Sequence, residues 1–248
     1  MVGIVEMILL DWTRMGRTYC LAGVVAESGG YRVVRPLPGR QRNSPQRNVG
    51  WSPFLLEGHC RWEIFELIKP EPAHSQPPHL EDHWVVSLRP RRKLVDVARR
   101  RIILQRTMAP HGEPRFGEPL ILTRASGYLN PGTGLRSLTT VILPTREIVF
   151  AGSWRRGALD PDIRVSLPLP DEGPRQLAVK DHFLLQEAGK AGTSLQPQLD
   201  FLNAAVRRMG EQVAVRIGLS RAFPAKDGEQ GVCWLMADGF FSSSEPQP

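Results

Sequence analysis

Gln198-Leu199-Asp200-Phe201-Leu202-Asn203-Ala204-Ala205-Val206-Arg207-Arg208-Met209-Gly210 is the stretch on which the fold assignment turns. Leu199, Leu202, Ala205, Val206 and Met209 recur at helical spacing over 198–209, and Gly210 supplies the stop. Two strand-like runs follow, at 213–222 and 231–240, joined by the turn-forming Pro224-Ala225-Lys226-Asp227-Gly228. Before the helix, strand-like runs stand at 120–124, 137–143, 147–151, 163–167 and 176–186. Strand, strand, strand, helix, strand, strand is the order of an OB-fold barrel, and closing a barrel removes the sheet edges that a β-rich chain must otherwise protect.

The first third also reads as strands. Residues 3–10 form a continuous apolar run, as a strand buried on both faces does. A turn-like Thr13-Arg14-Met15-Gly16-Arg17 separates it from a second strand at 18–26. Ser28-Gly29-Gly30 turns the chain into a third at 31–35. Residues 36–53 read as a long loop, 61–68 as a strand, and the proline-rich 69–78 as a rigid connection. Residues 91–104 can be drawn as a helix with Leu94, Val95, Ala98 and Ile102 on one face, and 109–119 as loop. The expected fold class is therefore mainly β with a few helices: an N-terminal OB-like barrel (1–88), a basic, helix-forming connector (89–112), and a C-terminal OB-like barrel (113–248) containing helix 198–209.

Composition agrees with this and excludes other classes. The 248 residues are 41% hydrophobic, with 23 glycines and 22 prolines, too few for a collagen-like or wholly disordered chain. No run of 18 apolar residues predicts a membrane-spanning helix, and no membrane partner is expected. The apolar start lacks a basic flank and is broken by Glu6, so it reads as a strand and not a signal peptide. Three widely spaced cysteines, Cys20, Cys60 and Cys233, point to a reduced, cytoplasmic protein and not a disulfide scaffold.

The net charge of +7 is concentrated. Arg89, Arg91, Arg92, Lys93, Arg99, Arg100, Arg101 and Arg106 fall within one short segment opposed only by Asp96. Such density attracts polyanions, and arginine both pairs bidentately with phosphate and stacks on bases. The alternative is a solvated connector whose arginine stems cover apolar surface.

Several stretches resemble the dual OB-containing domain family. Leu10 to Gly23, with Gly16, Arg17, Cys20, Ala22 and Gly23, is similar to its opening "G-R-x-C-x-A-G"-like element, with one extra residue before Cys20. Tyr31 to Pro36 resembles its "W-I-R-P" strand, and His79 to Trp84 its short acidic segment. Val215 to Phe223, followed by Cys233-Trp234-Leu235, resembles its "R-I-G-L-T-R-x-F … C-W" ending. Asp11-Trp12-Thr13 departs from the pattern, which has small or polar residues there. The resemblance implies a pair of OB-like barrels that bind or sense nucleic acids or nucleotides in bacterial conflict systems, and it implies no known reaction.

The candidate contacts follow from these two readings. Arg14, Arg17 and Arg35 lie at a turn and a strand end, with ordinary surface charge as the alternative, and Arg216 and Arg221 bracket Gly218, where the alternative is a bulge. With the basic segment they form the expected nucleic-acid-binding set. Trp12, Tyr19, Tyr31 and Trp62 are the candidate stacking faces, with burial in the core as the alternative. His79, Glu81, Asp82 and His83 are the one dense cluster of potential metal ligands or acid–base groups, although their spacing matches no standard zinc motif. They support an alternative reading as a metal-dependent enzyme acting on nucleic acid or nucleotide. A third reading is a protein-interaction module with a basic docking segment. No G-x-S-x-G, H-E-x-x-H or phosphate-loop sequence is present, so no catalytic residue, metal or cofactor is assigned.

Overall fold

Two curled sheets make up most of the chain, and bulges in their strands bring them together. A computed structural model describes residues 3–15, 18–39, 50–52, 57–154, 160–222 and 231–242. The first sheet contains β1 (Ile4–Met15), β2 (Thr18–Glu27), β3 (Gly30–Pro38), β4 (Glu63–Ile68), β5 (Glu71–Pro72), β6 (Asp82–Val85) and β7 (Ser87–Leu94), in the order β5-β6-β3-β2-β1-β4-β7. β1, β2 and β3 form an antiparallel meander, β4 returns against β1, and β6 lies parallel to β3. Val86 N–H donates to the Ile68 carbonyl at 2.9 Å, which draws the end of β4 towards β6 and curls the sheet.

The connector helix α1 (Val97–Arg106) follows, then the short β8 (Ile121–Leu122) and β9 (Gly127–Leu129). The second sheet is built from β10 (Leu138–Pro144), β11 (Val149–Ser153), β12 (Asp162–Leu169) and β13 (Gly173–Val179). After helices α2 (His182–Ala191) and α3 (Leu195–Arg207) come β14 (Gln212–Leu219) and β15 (Cys233–Ser242). The order is β10-β14-β15-β13-β12-β11. β10 and β11 act as one long bent strand, half paired with β14 and half with β12, while β13 runs parallel to β15. Helices stand between the third and fourth strands of this half. That is the strand order expected of an OB-like barrel, and the chain is mainly β with two barrel-like halves.

Burial explains both halves. β12 alternates inward and outward along its whole length, as a strand with one solvated face must. β1 instead buries seven consecutive residues. Its Met7 and Leu9 face the inside of the first barrel with Leu21, Val25, Val34 and Phe65. Its Ile8 and Leu10 face outward, where Val24 and Ile64 join Ile103 and Leu104 of α1 and Ala214 and Phe241 of the second half. The outer face of the first barrel is thus covered by the connector helix and the second barrel. In the second half, Val165, Leu167, Leu177, Val215 and Ile217 pack against Ala188 of α2 and Leu202 and Val206 of α3.

Several expectations change. The predicted helix over 91–104 begins later: residues up to Leu94 belong to β7, which pairs with β4. Asp96 then caps α1, accepting from Arg99 N–H at 2.8 Å, because a carboxylate satisfies the free amides of a first helical turn. The buried face of α1 is Ile103 and Leu104, while Ile102 is exposed. The turn expected from Thr13 is strand as far as Met15, and Gly16 and Arg17 lie outside the described residues. The strand expected over 176–186 is β13 followed by α2, which Asp181 caps through Leu184 N–H at 3.0 Å. The loop expected at 36–53 gives its first residues to β3, and 40–49 and 53 lie outside the described residues. So does the turn at 224–228. The helix expected at 198–209 is present as α3.

Candidate nucleic-acid interface

Arg89, Arg91 and Lys93 stand exposed on β7, the edge strand of the first sheet. Arg92 is on the same strand, with its side chain outside the described residues. Arg99, Arg100, Arg101 and Arg106 lie on α1. Among the described residues, only Arg91 of this group meets a carboxylate, Glu66 at 3.2 Å. Arg99 donates to the Tyr31 hydroxyl at 2.7 Å and lies over its ring, while Arg100 donates to the Val95 carbonyl at 2.8 Å and lies over Trp62. Arg101 and Arg106 extend into solvent. Cations on an edge strand also oppose pairing with a second sheet edge, and most of these keep their charge uncompensated.

The aromatic candidates divide. Trp12 and Trp62 are buried, because the bulged β1 and the start of β4 turn them into the seam between the halves. Trp12 packs against His182 and Phe183 of α2 at ring distances of 4.6 and 5.0 Å, and against Tyr19 at 5.5 Å. Trp62 packs against Phe241 at 5.3 Å. These two indoles hold the halves together and offer no face to a base. Tyr19 and Tyr31 are half-buried, and Arg99 already covers Tyr31.

The arginines outside the basic segment divide as well. Arg14 is ion-paired with Asp160 at 2.9 Å on the surface, and Arg17 lies outside the described residues. Arg35 and Arg216 are withdrawn from solvent, since each neutralises a buried carboxylate. Arg35 donates to Asp82 at 2.6 Å. Arg216 grips Asp11 through Nη2 at 2.8 Å and Nε at 3.0 Å, and reaches Thr140 Oγ1 at 3.3 Å. Arg221 pairs with the other oxygen of Asp82 while keeping part of its side chain in solvent.

His79, Glu81, Asp82 and His83 turn to different partners. Asp82 accepts from Arg35, Arg221 and, at 2.7 Å, Ser75. Burial works against its charge, but the two guanidiniums outweigh it and hold its pKa below the usual carboxylate value. His79 Nδ1 faces Arg35 Nη2 at 2.6 Å and its Nε2 faces the Ser220 carbonyl at 3.1 Å. Those partners fix the neutral tautomer that carries its proton on Nε2. Burial first, then Arg35 and Arg221, push its pKa down to about 2. Glu81 accepts from Ser137 N–H at 2.6 Å and Ser137 Oγ–H at 3.1 Å. His83 bridges the Glu81 carbonyl and Arg32 at 2.8 and 3.0 Å. This network runs from β3 and β6 of the first half to residues 137 and 220 of the second. Among the described residues no group of three or more His, Cys, Asp or Glu side chains is placed to hold a metal ion.

Sequence reasoning passed over Arg32, Arg136 and the Tyr128–Trp234 ring pair, 5.2 Å apart. Trp234 is among the exposed large apolar residues. Its place next to Cys233 within the strand-like run at 231–240 was the available signal.

No protein family and no curated protein matches the chain. Two solved structures are similar over nearly its full length. One is a murine DNA-binding protein bound with double-stranded DNA, with 10% identity, 99% of each chain covered and a TM-score of 0.33. The other is the tetrameric p202 HIN2, with 7% identity, 96% of each chain covered and a TM-score of 0.28.

Proposed function

We propose that the chain binds or senses nucleic acid or nucleotides without catalysing a reaction, holding phosphates along β7 and α1. The supporting observation is the set of cations there that remains exposed and, Arg91 apart, without a carboxylate partner among the described residues. OB-like barrels favour single strands, gripped by a cationic track with bases laid on flat side chains. The cations divide between β7, the edge strand of the first sheet, and α1, the helix that leads to the second half, so the phosphate track runs along that strand and that helix. The non-enzymatic part is supported by the polar cluster at residues 79–83, where His79, Glu81 and Asp82 bond across to Ser220, Ser137 and Arg221 of the second half while His83 stays with Arg32 and the Glu81 carbonyl. A role in a bacterial conflict system rests on the sequence resemblance, and a cytoplasmic location on three cysteines that form no disulfide.

Salt-titrated fluorescence anisotropy with a labelled single-stranded oligonucleotide tests the reading. Five phosphate contacts, from Arg89, Arg91, Lys93, Arg101 and Arg106, predict log K falling against log salt with a slope of about −3.5. Arg101→Ala with Arg106→Ala should flatten that slope by about 1.4 while leaving the fold intact, since both side chains are exposed. Absence of binding to oligonucleotides and nucleotides at low salt overturns the proposal. Capture of an acidic protein that survives nuclease treatment, without oligonucleotide binding, would favour the docking-module reading.

A further inference from the structure

A pocket of about 290 Å³ opens where β3, the residues before β6, the end of α1 and the entry to β10 meet. Its walls are unusual for a solvent-facing surface. Leu80, Met108 and Leu135 present large aliphatic side chains around one hollow while 49%, 40% and 63% exposed. Leaving such groups partly in water forgoes the stabilisation that burial brings, and clustered exposed apolar groups of this kind mark binding sites.

The polar groups are few and of two kinds. Glu81 contributes a carboxylate that is only 9% exposed. Its two oxygens each take one hydrogen bond from Ser137, which leaves further acceptor capacity on both. Three arginines also line the pocket. Arg32 is held by Glu27 and the His83 ring, and Arg136 by Glu113 at 3.1 Å. Arg106, at the end of α1, has no carboxylate partner among the described residues. The hollow therefore combines aliphatic walls, a nearly buried carboxylate and three arginines, of which Arg106 has no carboxylate partner among the described residues.

We propose that this pocket seats a single guanine nucleotide unit. Its ring would lie between Leu80, Met108 and Leu135, its N1–H and N2–H donors on the Glu81 carboxylate, and its phosphate at Arg106. This inference rests on the nucleic-acid reading above and deepens it. Guanine is selected because two adjacent donors match two carboxylate oxygens, and such bidentate pairs carry base discrimination. Uracil and thymine offer one donor flanked by two carbonyls, which a carboxylate repels. A base turned out of a strand and a free guanosine phosphate share this chemistry, since flipped bases are read on the same edge between apolar side chains.

The full chain is titrated with a labelled all-dT oligonucleotide, with the same oligonucleotide carrying one central dG, and with GMP and UMP as competitors. GMP is expected to compete at least tenfold better than UMP, and the single dG to tighten strand binding about tenfold, as one good bidentate contact does. Glu81→Gln should bring the GMP-to-UMP ratio close to one. Should that variant fail to fold, Leu135→Asp, at an exposed position, should weaken GMP competition by a similar factor. Equal competition by GMP and UMP, or a ratio unchanged in these variants, overturns the inference. If all-dT binds without base discrimination, the pocket inference falls and the phosphate track stands. Discrimination between GMP and UMP without binding of either oligonucleotide keeps the pocket as a free-nucleotide site and removes the phosphate track.

Discussion

Arg216→Ala is expected to cost about 3–5 kcal/mol of stability and to lower Tm by about 10 °C, measured by urea denaturation and thermal melting at pH 7. The size follows from where the charge sits. Arg216 is fully buried on β14, and its partner Asp11 on β1 is equally withdrawn from water. Two bulges create the contact. The pairing of β1 with β2 slips between Leu9 and Asp11, and that of β14 with β15 slips between Arg216 and Ile217. An extra residue in a strand re-aims the side chains beside it. Arg216 also touches Thr140, whose hydroxyl meets that of Thr107 at 2.7 Å at the end of α1. Removing the guanidinium leaves Asp11 buried without its cation and cuts the link among first barrel, second barrel and connector. Asp11→Leu combined with Arg216→Met should recover much of the loss, because replacing both ions by apolar groups removes the penalty of the stranded one. A loss below about 1 kcal/mol for Arg216→Ala would show that Asp11 finds another partner.

Arg216 also shows what sequence could and could not disclose. Its strand was legible, since Val213, Val215 and Ile217 alternate with smaller or polar residues. The helix before it was legible as well, from apolar spacing and a terminal glycine. The helix spacing comes from an element burying one face, whereas β14 is buried on both faces from Val213 to Leu219 and its alternation is one of side-chain size and polarity; the two patterns together carry the two-barrel reading. Placement of the cations was not legible. An arginine on a strand looks the same in sequence whether it meets solvent, as Arg89 does, or a buried carboxylate 205 positions away, as Arg216 does. The β14–β15 slip lies beside Gly218, a residue type that marks bulges in strands, whereas the slip in β1 between Leu9 and Asp11 has no glycine to mark it. Asp96 and Asp181 are different: each stands just before a helix it caps, but the helical spacing of Leu94, Val95, Ala98 and Ile102 runs through the first and a strand reading over 176–186 runs through the second. The cluster at 79–83 stood out in sequence for its chemistry. Its role as a cross-link appears only when Arg35, Ser137 and Ser220 are brought beside it.

The pH dependence of stability isolates a second buried charge. Asp238 is the extra residue opposite the Arg216–Ile217 step in β15. It is buried, with Oδ1 lacking a hydrogen-bond partner among the described residues. It packs on Gly218 so closely that a Cβ there would fall 1.7 Å from Oδ2. Burial first, and then the neighbouring Asp11, push its pKa up to about 7, with Arg216 offsetting part of the rise. The folded protein therefore keeps a proton between about pH 4 and 7 that the unfolded chain has lost, and this group's contribution falls by about 1.4 kcal/mol per pH unit across that window. His79 acts in the opposite sense. With its imidazole held near 2 in the fold and near 6.5 in the unfolded chain, the unfolded state gains a proton as pH drops below 6.5, so stability rises with pH up to that point. The two slopes oppose each other between about pH 4 and 6.5. Asp238→Asn removes one of them. Its stability, followed by urea denaturation at pH 4.5, 5.5, 6.5 and 7.5, should climb relative to the parent protein by about 3 kcal/mol across the series. A new amide contact or clash at Gly218 would shift every point equally, so the slope and not the level is the test. Parallel profiles for the two proteins would mean that Asp238 is ionised throughout, with Arg216 shared between both carboxylates.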